Sequence, residues 1–401
     1  MEGGDFGALA SSPAGLRVPR STRRLITGVL FVRGLRVHFA GHEICRRGRQ
    51  CSTRRHSAKL AAIARRGIVC ALMQKVRAII LREHGEPQRV AQIETLELPE
   101  PAPGEVRVRV KFAPINPADI NVLEGKYPIR PELPGTPGVE GVGIVEEGGA
   151  GVAGFAAGDV VLLPHRFGTW REAGNTNASE LLKISPDVPL EQAAMLRINP
   201  ATALVMLRDF VALQPGEWIV QNAANSAVGR CVIRLARHFG WRTVNVVRRA
   251  ELVDELKAEG ADVVLIEGEK ISAEIKAATG GAPVRLALNA VGGDSAVRLA
   301  GALAPGGTIV TFGAMARQPL KVPNGQLIFQ DIAWRGFWIS RWYQRVGEVA
   351  GNALLGELSA LAARGILAIP VEAIYPLDQI ADAIAHAQRP QRGGKILLRC
   401  S

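Results

Sequence analysis

The chain has 401 residues, of which 47% are apolar and 44 are glycine, a composition typical of a globular α/β protein with about two domains. These values exclude fibrous and intrinsically disordered proteins. Of the net charge of +12, residues 1–72 hold +11, because they contain thirteen Arg and one Lys against three acids. The rest of the chain is therefore almost neutral, and the basic charge gives no sign of a nucleic-acid-binding body.

Residues 1–72 are rich in Arg and Ser and poor in acids, as transit peptides are, and Met73 after them is a usable start. We expect a disordered basic arm that is either a transit peptide or a segment upstream of the true start. The first alternative places the protein in the mitochondrial matrix, and the second, in a bacterium, places it in the cytoplasm. The longest apolar run, residues 25–32, is far shorter than the roughly 20 residues needed to cross a bilayer, so no membrane span is expected.

The first domain is predicted at 73–195. Residues 76–81 and 105–112 have strand patterns, the second with a period of two, and PG, GG and GD turns punctuate the region. This pattern predicts a mostly antiparallel β domain, a partly open barrel. Helical spacing over 189–213 predicts a bridge into the next domain.

The second domain is predicted at 196–335, where five apolar runs alternate with helical segments. This alternation predicts a parallel, doubly wound sheet. Residues 336–401 are predicted to return to the first domain and to end in a strand. Trp334, Trp338 and Trp342 recur every four residues, which predicts that they share one helical face.

The segment QNAANSAVGR, residues 221–230, follows an apolar run and precedes a helical pattern, as a phosphate-binding turn does. The three fingerprint positions are Ala224, Ser226 and Gly229, all small, so the turn keeps most of the space that a pyrophosphate needs. About 20 residues further on, where NAD-binding proteins carry an acid, the chain has Arg248 and Arg249. Guanidinium groups pair with a 2′-phosphate, so the predicted cofactor is NADPH.

A β-rich domain followed by a dinucleotide fold resembles the medium-chain dehydrogenase/reductase superfamily, whose first domain is GroES-like. Its zinc enzymes carry a Cys where this chain has INPADIN and a His where it has Val139, next to Glu140. The body has four scattered histidines and two cysteines, Cys231 and Cys400, in no ligand spacing. We therefore predict no metal, no disulfide framework and a reducing compartment.

The segment 115–143, together with LRINPATAL, QNAANSAVGR, NVVRR, TFGAMARQPL and RGFWISRW, closely resembles the mitochondrial-type trans-2-enoyl-thioester reductases, over essentially all of 73–401. The resemblance implies that Tyr127 is the catalytic residue. A phenol suits this chemistry, because it stays protonated at neutral pH and can donate to a thioester oxygen on which charge develops.

The same resemblance implies a set of NADPH-binding residues, an enoyl-CoA or enoyl-acyl-carrier-protein substrate, and a homodimer. The implied residues are Asn199, Asn225, Ser226, Ala227, Val228, Gly229, Arg248, Arg249, Phe312, Gly313, Ala314, Met315, Phe337, Trp338, Ile339, Ser340 and Lys395.

Two alternatives remain. One is an NADPH-dependent quinone or enone reductase of the same superfamily, which would share the cofactor site. The other is a nucleic-acid-binding protein that uses the basic arm and keeps a vestigial reductase fold, and it predicts strongly salt-dependent binding that is lost with residues 1–72.

Overall fold

The computed structural model describes residues 73–401 and, within 1–72, the backbone of two strands, which belong to a separate compact unit. Strands β1 (Thr27–Val32) and β2 (Leu35–Ala40) pair antiparallel, with Thr27 opposite Ala40. The sequences of this pair are rich in Val, Leu and Phe, which favour strands, and the prediction of a disordered arm stays a prediction. The other residues of 1–72, and the predictions that fall on them, lie outside the described residues.

The first domain begins with β-structure, as predicted. Its elements are β3 (Gln74–Leu81), α1 (Pro87–Val90), β4 (Ala91–Leu98), β5 (Glu105–Pro114), α2 (Pro117–Leu123), β6 (Val142–Gly148), β7 (Val160–Leu162), β8 (Ala173–Asn177) and β9 (Leu182–Lys183). The valines at 106, 108 and 110 of β5 are buried, as the period of two predicts. The bridge consists of α3 (Leu190–Ala193) and α4 (Asn199–Asp209).

The second domain alternates strands with helices. Its elements are β10 (Trp218–Asn222), α5 (Ala227–Phe239), β11 (Arg242–Val247), α6 (Leu252–Ala258), β12 (Val263–Ile266), α7 (Ile271–Ala278), β13 (Val284–Asn289), α8 (Gly293–Ala300), β14 (Thr308–Thr311), α9 (Asn324–Ile328) and β15 (Ala333–Gly336). The six strands are parallel in the order β12-β11-β10-β13-β14-β15, so the chain reverses direction across the sheet between β10 and β13. This is the order of a dinucleotide-binding sheet, in which ligands bind beyond the carboxyl ends of the strands at that reversal.

The last part of the chain returns to the first domain. It contains α10 (Ile339–Ala363), which bends at Gly347, then β16 (Val371–Pro376), α11 (Ile380–Gln388) and β17 (Lys395–Arg399). Strand β17 pairs with β5, so the sheet of the first domain has the order β16-β17-β5-β6-β7-β9, with β8 on β5. Only β16 and β17 run parallel among the described pairs of this sheet, and the predicted mostly antiparallel domain is confirmed.

The three tryptophans do not share a helical face, so that prediction was wrong. Trp334 lies in β15 opposite Ile309 of β14, Trp338 is the extended residue before α10, and Trp342 lies in the first turn of α10. Pairing with β14 overrides the local spacing, because it holds the backbone of residues 333–336 extended. Within the described part of the chain, no helix combines the length and the apolarity that crossing a bilayer requires.

Candidate active site

The turn between β10 and α5 has the geometry of a phosphate-binding turn. Ser226 is the residue that caps α5, and its hydroxyl accepts a hydrogen bond from the Gly229 N–H at 3.1 Å. A Cβ placed on Gly229 would lie 2.4 Å from the Ala224 carbonyl oxygen, so only glycine lets helix and strand approach this closely. Asn225, Ser226 and Ala227 are partly accessible, whereas Val228 and Gly229 are buried. The first three residues therefore present the helix N terminus to a ligand.

Buried amides that sequence reasoning missed join β10 to β13 at the chain reversal. The Asn222 side chain donates to Asn289 Oδ1 at 2.9 Å and accepts from the Ala290 N–H at 2.8 Å. Asn289 Oδ1 also accepts from the N–H groups of Val291 and Gly292. These bonds fix the loop after β13, which forms one wall of the crevice. Asn289 was missed because it lies in an apolar run, where the pattern indicates only a buried strand.

The two arginines after β11 differ in their surroundings. Arg248 is exposed and makes no ion pair with any described residue, whereas Arg249 pairs with Glu251 at 3.1 Å. Both follow a strand whose carboxyl end lies beside that of β10, since Asn222 is opposite Val246. Arg248 is therefore the guanidinium that is available to an anion at this edge.

Tyr127 lies directly after α2, where the N–H groups of Lys126 and Tyr127 both donate to the Asn121 carbonyl, at 2.8 and 3.1 Å. The Trp338 indole N–H donates to the phenol oxygen at 2.8 Å, and the two rings meet edge to face with centroids 5.7 Å apart. Burial raises the pKa of the half-buried Tyr127 phenol, while the bonds from Trp338 and Ser340 partly oppose that rise. The phenol is thus protonated at neutral pH and is held by a residue from the far end of the chain.

The other predicted segments follow β14 and β15. The Phe312 N–H donates to the Asn289 carbonyl at 3.0 Å, and the Phe337 N–H donates to the Thr311 carbonyl at 2.9 Å. A Cβ on Gly313 would lie 2.8 Å from the Ala290 carbonyl oxygen, so this turn also packs closely. Ala314 and Met315 are exposed, Ile339 and Ser340 are buried, and Phe337 and Trp338 are half-buried. These segments lie at the same sheet edge as the phosphate turn.

Asn199 and Lys395 lie in a buried polar cluster with three residues that were not predicted. We call this the Asn116 cluster, and it consists of Asn116, Asp119, Glu140, Asn199 and Lys395, each less than 9% exposed. The Asn116 side chain donates to Glu140 Oε1 at 2.9 Å and accepts from Lys395 Nζ and, at 3.3 Å, from Asn199 Nδ2. The sequence signal was Asn-Pro-x-Asp, which forms a capping box at the start of α2.

Two carboxyl groups and one amine share this buried space. Burial lowers the pKa of Lys395 to about 8 and raises the pKa of both Glu140 and Asp119 to about 7. Nearby Lys395 opposes the rise in both carboxyl groups. The amine is thus the counter-charge of the carboxyl groups.

The two segments that the resemblance aligns with zinc-binding segments carry few side chains suited to zinc. They supply the Asn116 amide, aliphatic Val139, and Glu140, whose carboxylate already accepts from Asn116 and from the Ile198 N–H at 2.9 Å. An ammonium beside that carboxylate opposes a divalent cation. Among residues 73–401, no group of three or more His, Cys, Asp and Glu side chains is arranged for a metal. The prediction of a metal-free enzyme stays a prediction.

Two family profiles match the body of the chain. The profile described as "Alcohol dehydrogenase GroES-like domain" matches residues 102–185, and the one described as "Zinc-binding dehydrogenase" matches residues 227–352. A GroES-like domain joined to a dinucleotide-binding sheet defines a medium-chain dehydrogenase/reductase, which confirms the predicted fold class.

Sequence identity to individual proteins shows which family within this superfamily the chain belongs to. The mitochondrial enoyl-[acyl-carrier-protein] reductase of Rattus norvegicus is 41% identical over 79% of this chain and 86% of the rat protein, and that of Homo sapiens is 41% identical over 81% and 88%. The chain belongs to the mitochondrial enoyl-[acyl-carrier-protein] reductase family, as its motifs predicted.

Solved structures agree with this assignment. The mitochondrial 2-enoyl thioester reductase Etr1p/Etr2p heterodimer from Candida tropicalis has a TM-score of 0.76 and 29% identity, covering 82% of this chain and 100% of that chain. The Etr1p/NADP/crotonyl-CoA complex has the same TM-score, identity and coverage. A putative NADPH:quinone reductase from Bacillus thuringiensis follows with a TM-score of 0.75 and 28% identity, covering 81% and 99%.

Proposed function

We propose that this protein reduces trans-2-enoyl thioesters of coenzyme A or acyl carrier protein to saturated acyl thioesters with NADPH, in fatty acid synthesis. The observation that carries the proposal is the Tyr127 phenol bonded to Trp338 at the sheet edge that holds the phosphate turn. Family membership supports the reaction, and the NADP and crotonyl-CoA of the Etr1p complex support the cofactor and the substrate class.

Tyr127 is the proposed catalytic residue. NADPH, when bound, would supply the hydride for the β-carbon, and the negative charge that develops on the thioester oxygen would then need a hydrogen-bond donor. Because the Trp338 N–H already donates to the phenol oxygen, the phenol O–H is free to point at a substrate acceptor. There it stabilises the oxygen by a hydrogen bond or supplies the proton that the α-carbon takes.

The proposed cofactor site follows the carboxyl edge of the parallel sheet. Asn225, Ser226 and Ala227 would hold the pyrophosphate at the N terminus of α5, and Arg248 would pair with the 2′-phosphate. Arg249 has a smaller role, because Glu251 already pairs with it. The segments after β14 and β15, together with Asn199 and Lys395, would surround the nicotinamide end.

The substitution Tyr127→Phe tests the mechanism. It removes the phenol O–H but keeps the ring that meets Trp338, so we expect turnover of crotonyl-CoA to fall about 100-fold, the lower range for a lost acid catalyst. The dissociation constant of NADPH should not change. The matched control is Tyr375→Phe, because Tyr375 instead bonds His386 at 2.9 Å and should tolerate the change. Wild-type turnover by Tyr127→Phe would remove the proposed role.

The second candidate function is quinone or enone reduction, which the likeness to the putative NADPH:quinone reductase favours. Such an enzyme needs the same cofactor site but no selectivity for a thioester. Oxidation of NADPH with crotonyl-CoA, decenoyl-CoA and a quinone separates the two functions. Activity confined to the quinone would reject the thioester proposal.

We further propose that two copies form a homodimer through β15. This strand is the last in its sheet, so its outer edge has free backbone groups, and Leu327, Ile328 and Phe329 just before it are exposed. A second copy extends the sheet and covers these side chains. The Etr1p/Etr2p heterodimer supports assembly of two such chains.

We also propose a mitochondrial location, because the curated relatives are named mitochondrial and the basic arm has the composition of a transit peptide. Sequencing the N terminus of the mature protein tests this proposal. A mature protein that retains Met1 would contradict it.

A further inference from the structure

Asn116 lies where the two domains of the body meet. It is the residue before α2 in the first domain, and its side chain contacts Asn199 at the start of α4 and Lys395 at the start of β17. Asn116 is 2% exposed, and the proposed reaction does not by itself require an amide at this position. A polar residue buried this deeply needs its hydrogen bonds satisfied, so its partners decide its orientation.

The partners leave the Asn116 amide one orientation. With Glu140 ionised and Lys395 protonated, the carboxylate only accepts and the ammonium only donates, so the nitrogen faces Glu140 and the oxygen faces Lys395. The same oxygen accepts from Asn199 Nδ2 at 3.3 Å. One amide therefore connects a fixed acid to two residues of the proposed cofactor side.

Glu140 is the fixed end of this connection. Its second carboxylate oxygen accepts from the Ile198 N–H at 2.9 Å, and its carbonyl accepts from the Thr169 hydroxyl at 2.8 Å. Ile198 immediately precedes Asn199, so Glu140 holds both the backbone and, through Asn116, the side chain of the start of α4. Asp119 adds a bond from the Val139 N–H at 3.2 Å, which ties α2 to the segment of Glu140.

The bond to Asn116 fixes which end of the Asn199 amide faces the Asn116 cluster. One Nδ2 hydrogen is bonded to Asn116, and no residue of 73–401 donates a hydrogen bond to Oδ1. That oxygen can accept from an amide or a hydroxyl group of a ligand in the cleft. Rotation of the amide would exchange the positions of the nitrogen and the oxygen, so the bond to Asn116 sets where Asn199 offers its acceptor.

We propose that Asn116 is a positioning residue for NADPH, because its amide fixes the orientation of Asn199 and the location of the Lys395 amine from the anchored carboxylate of Glu140. The proposal rests on the proposed roles of Asn199 and Lys395 at the cofactor. Without the amide, Glu140 and Lys395 each lose a buried partner, and the amine moves to regain one.

The substitution Asn116→Ser tests the proposal. The backbone N–H of residue 116 donates to Asp119 Oδ2 at 2.8 Å whatever its side chain, and serine is as good a helix-capping residue as asparagine, so α2 keeps its start. The serine side chain is too short to join Glu140 to Lys395. We expect the dissociation constant of NADPH, measured by fluorescence titration, to rise about tenfold. The KM for crotonyl-CoA and kcat at saturating NADPH should stay within about twofold.

Asn177→Ser is the matched control, because it makes the same chemical change at an exposed residue that caps the turn at Ala178–Glu180. It should bind NADPH as the wild type does. A folded Asn116→Ser protein with wild-type NADPH affinity would overturn the proposal. Parallel losses in NADPH affinity, crotonyl-CoA KM and kcat would also overturn it, because they indicate a general structural role.

Glu140→Gln decides the question if Asn116→Ser does not fold. It keeps the size of the side chain but removes the charge and one acceptor, and it should weaken NADPH binding in the same selective way. Glu97→Gln, at an exposed position of β4, is its control. NADPH titration does not require turnover, so these results stand apart from the Tyr127→Phe result, and each proposal can fail alone.

Discussion

Arg248 is the residue through which the choice of cofactor can be measured. It is exposed beyond β11 and free of ion pairs with described residues. Arg248→Ala should raise the dissociation constant of NADPH about tenfold, in the range of a lost charge-assisted bond, and leave that of NADH unchanged. Arg249→Ala is the control with a smaller expected effect, because Glu251 already pairs with Arg249. An unchanged ratio of NADPH to NADH affinity would contradict the role of Arg248.

Single residues also mark the limit of sequence reasoning. Tyr127 could be chosen from the sequence because few tyrosines compete with it and its motif matches the family. Asn116 and Lys395 are 279 positions apart, and no local pattern reports that their side chains meet. Lys395 was predicted as a cofactor residue, but its burial against carboxyl groups of the first domain could come only from the tertiary structure.

The close packing of Gly229 in the turn from β10 into α5 can be tested by substitution. A methyl group at Gly229 would overlap the Ala224 carbonyl, so Gly229→Ala should lower the free energy of unfolding by about 1–3 kcal/mol and weaken NADPH binding. Gly356→Ala is the control, because Gly356 lies inside α10 with open space around it. There alanine should stabilise the helix by about 0.5–1 kcal/mol. Equal effects in urea unfolding would refute the close approach at Gly229.

At the level of elements, the alternating pattern predicted the parallel sheet because each buried strand is short and apolar, and an amphipathic helix separates it from the next strand. The pattern failed at Trp334, where the four-residue spacing favours a helix. The difference arises from hydrogen bonds to β14, a partner about 25 residues away, which local periodicity does not contain. Strand pairing at long range is therefore what the sequence alone leaves out.

The whole molecule offers a test of assembly. Phe329 is 85% exposed beside the free edge of β15, so Phe329→Asp should place a charge in the proposed dimer contact and give monomers. Light scattering after gel filtration at micromolar concentration measures this change. Ile93→Asp, at an exposed position of β4 in the first domain, should not alter the mass. Wild-type protein that elutes as a monomer would reject the dimer.

The position of β17 has a consequence for synthesis. This final strand lies between β16 and β5, so the sheet that begins with β5 is completed only after the strands of the parallel sheet have been made. The parallel sheet, by contrast, is contiguous from Trp218 to Gly336 and can form while the C terminus is still being translated. A nascent chain stopped before residue 395 would therefore have its dinucleotide-binding turn but lack the amine that completes the Asn116 cluster. The dinucleotide-binding sheet is thus synthesised in full before the strand that completes the first domain.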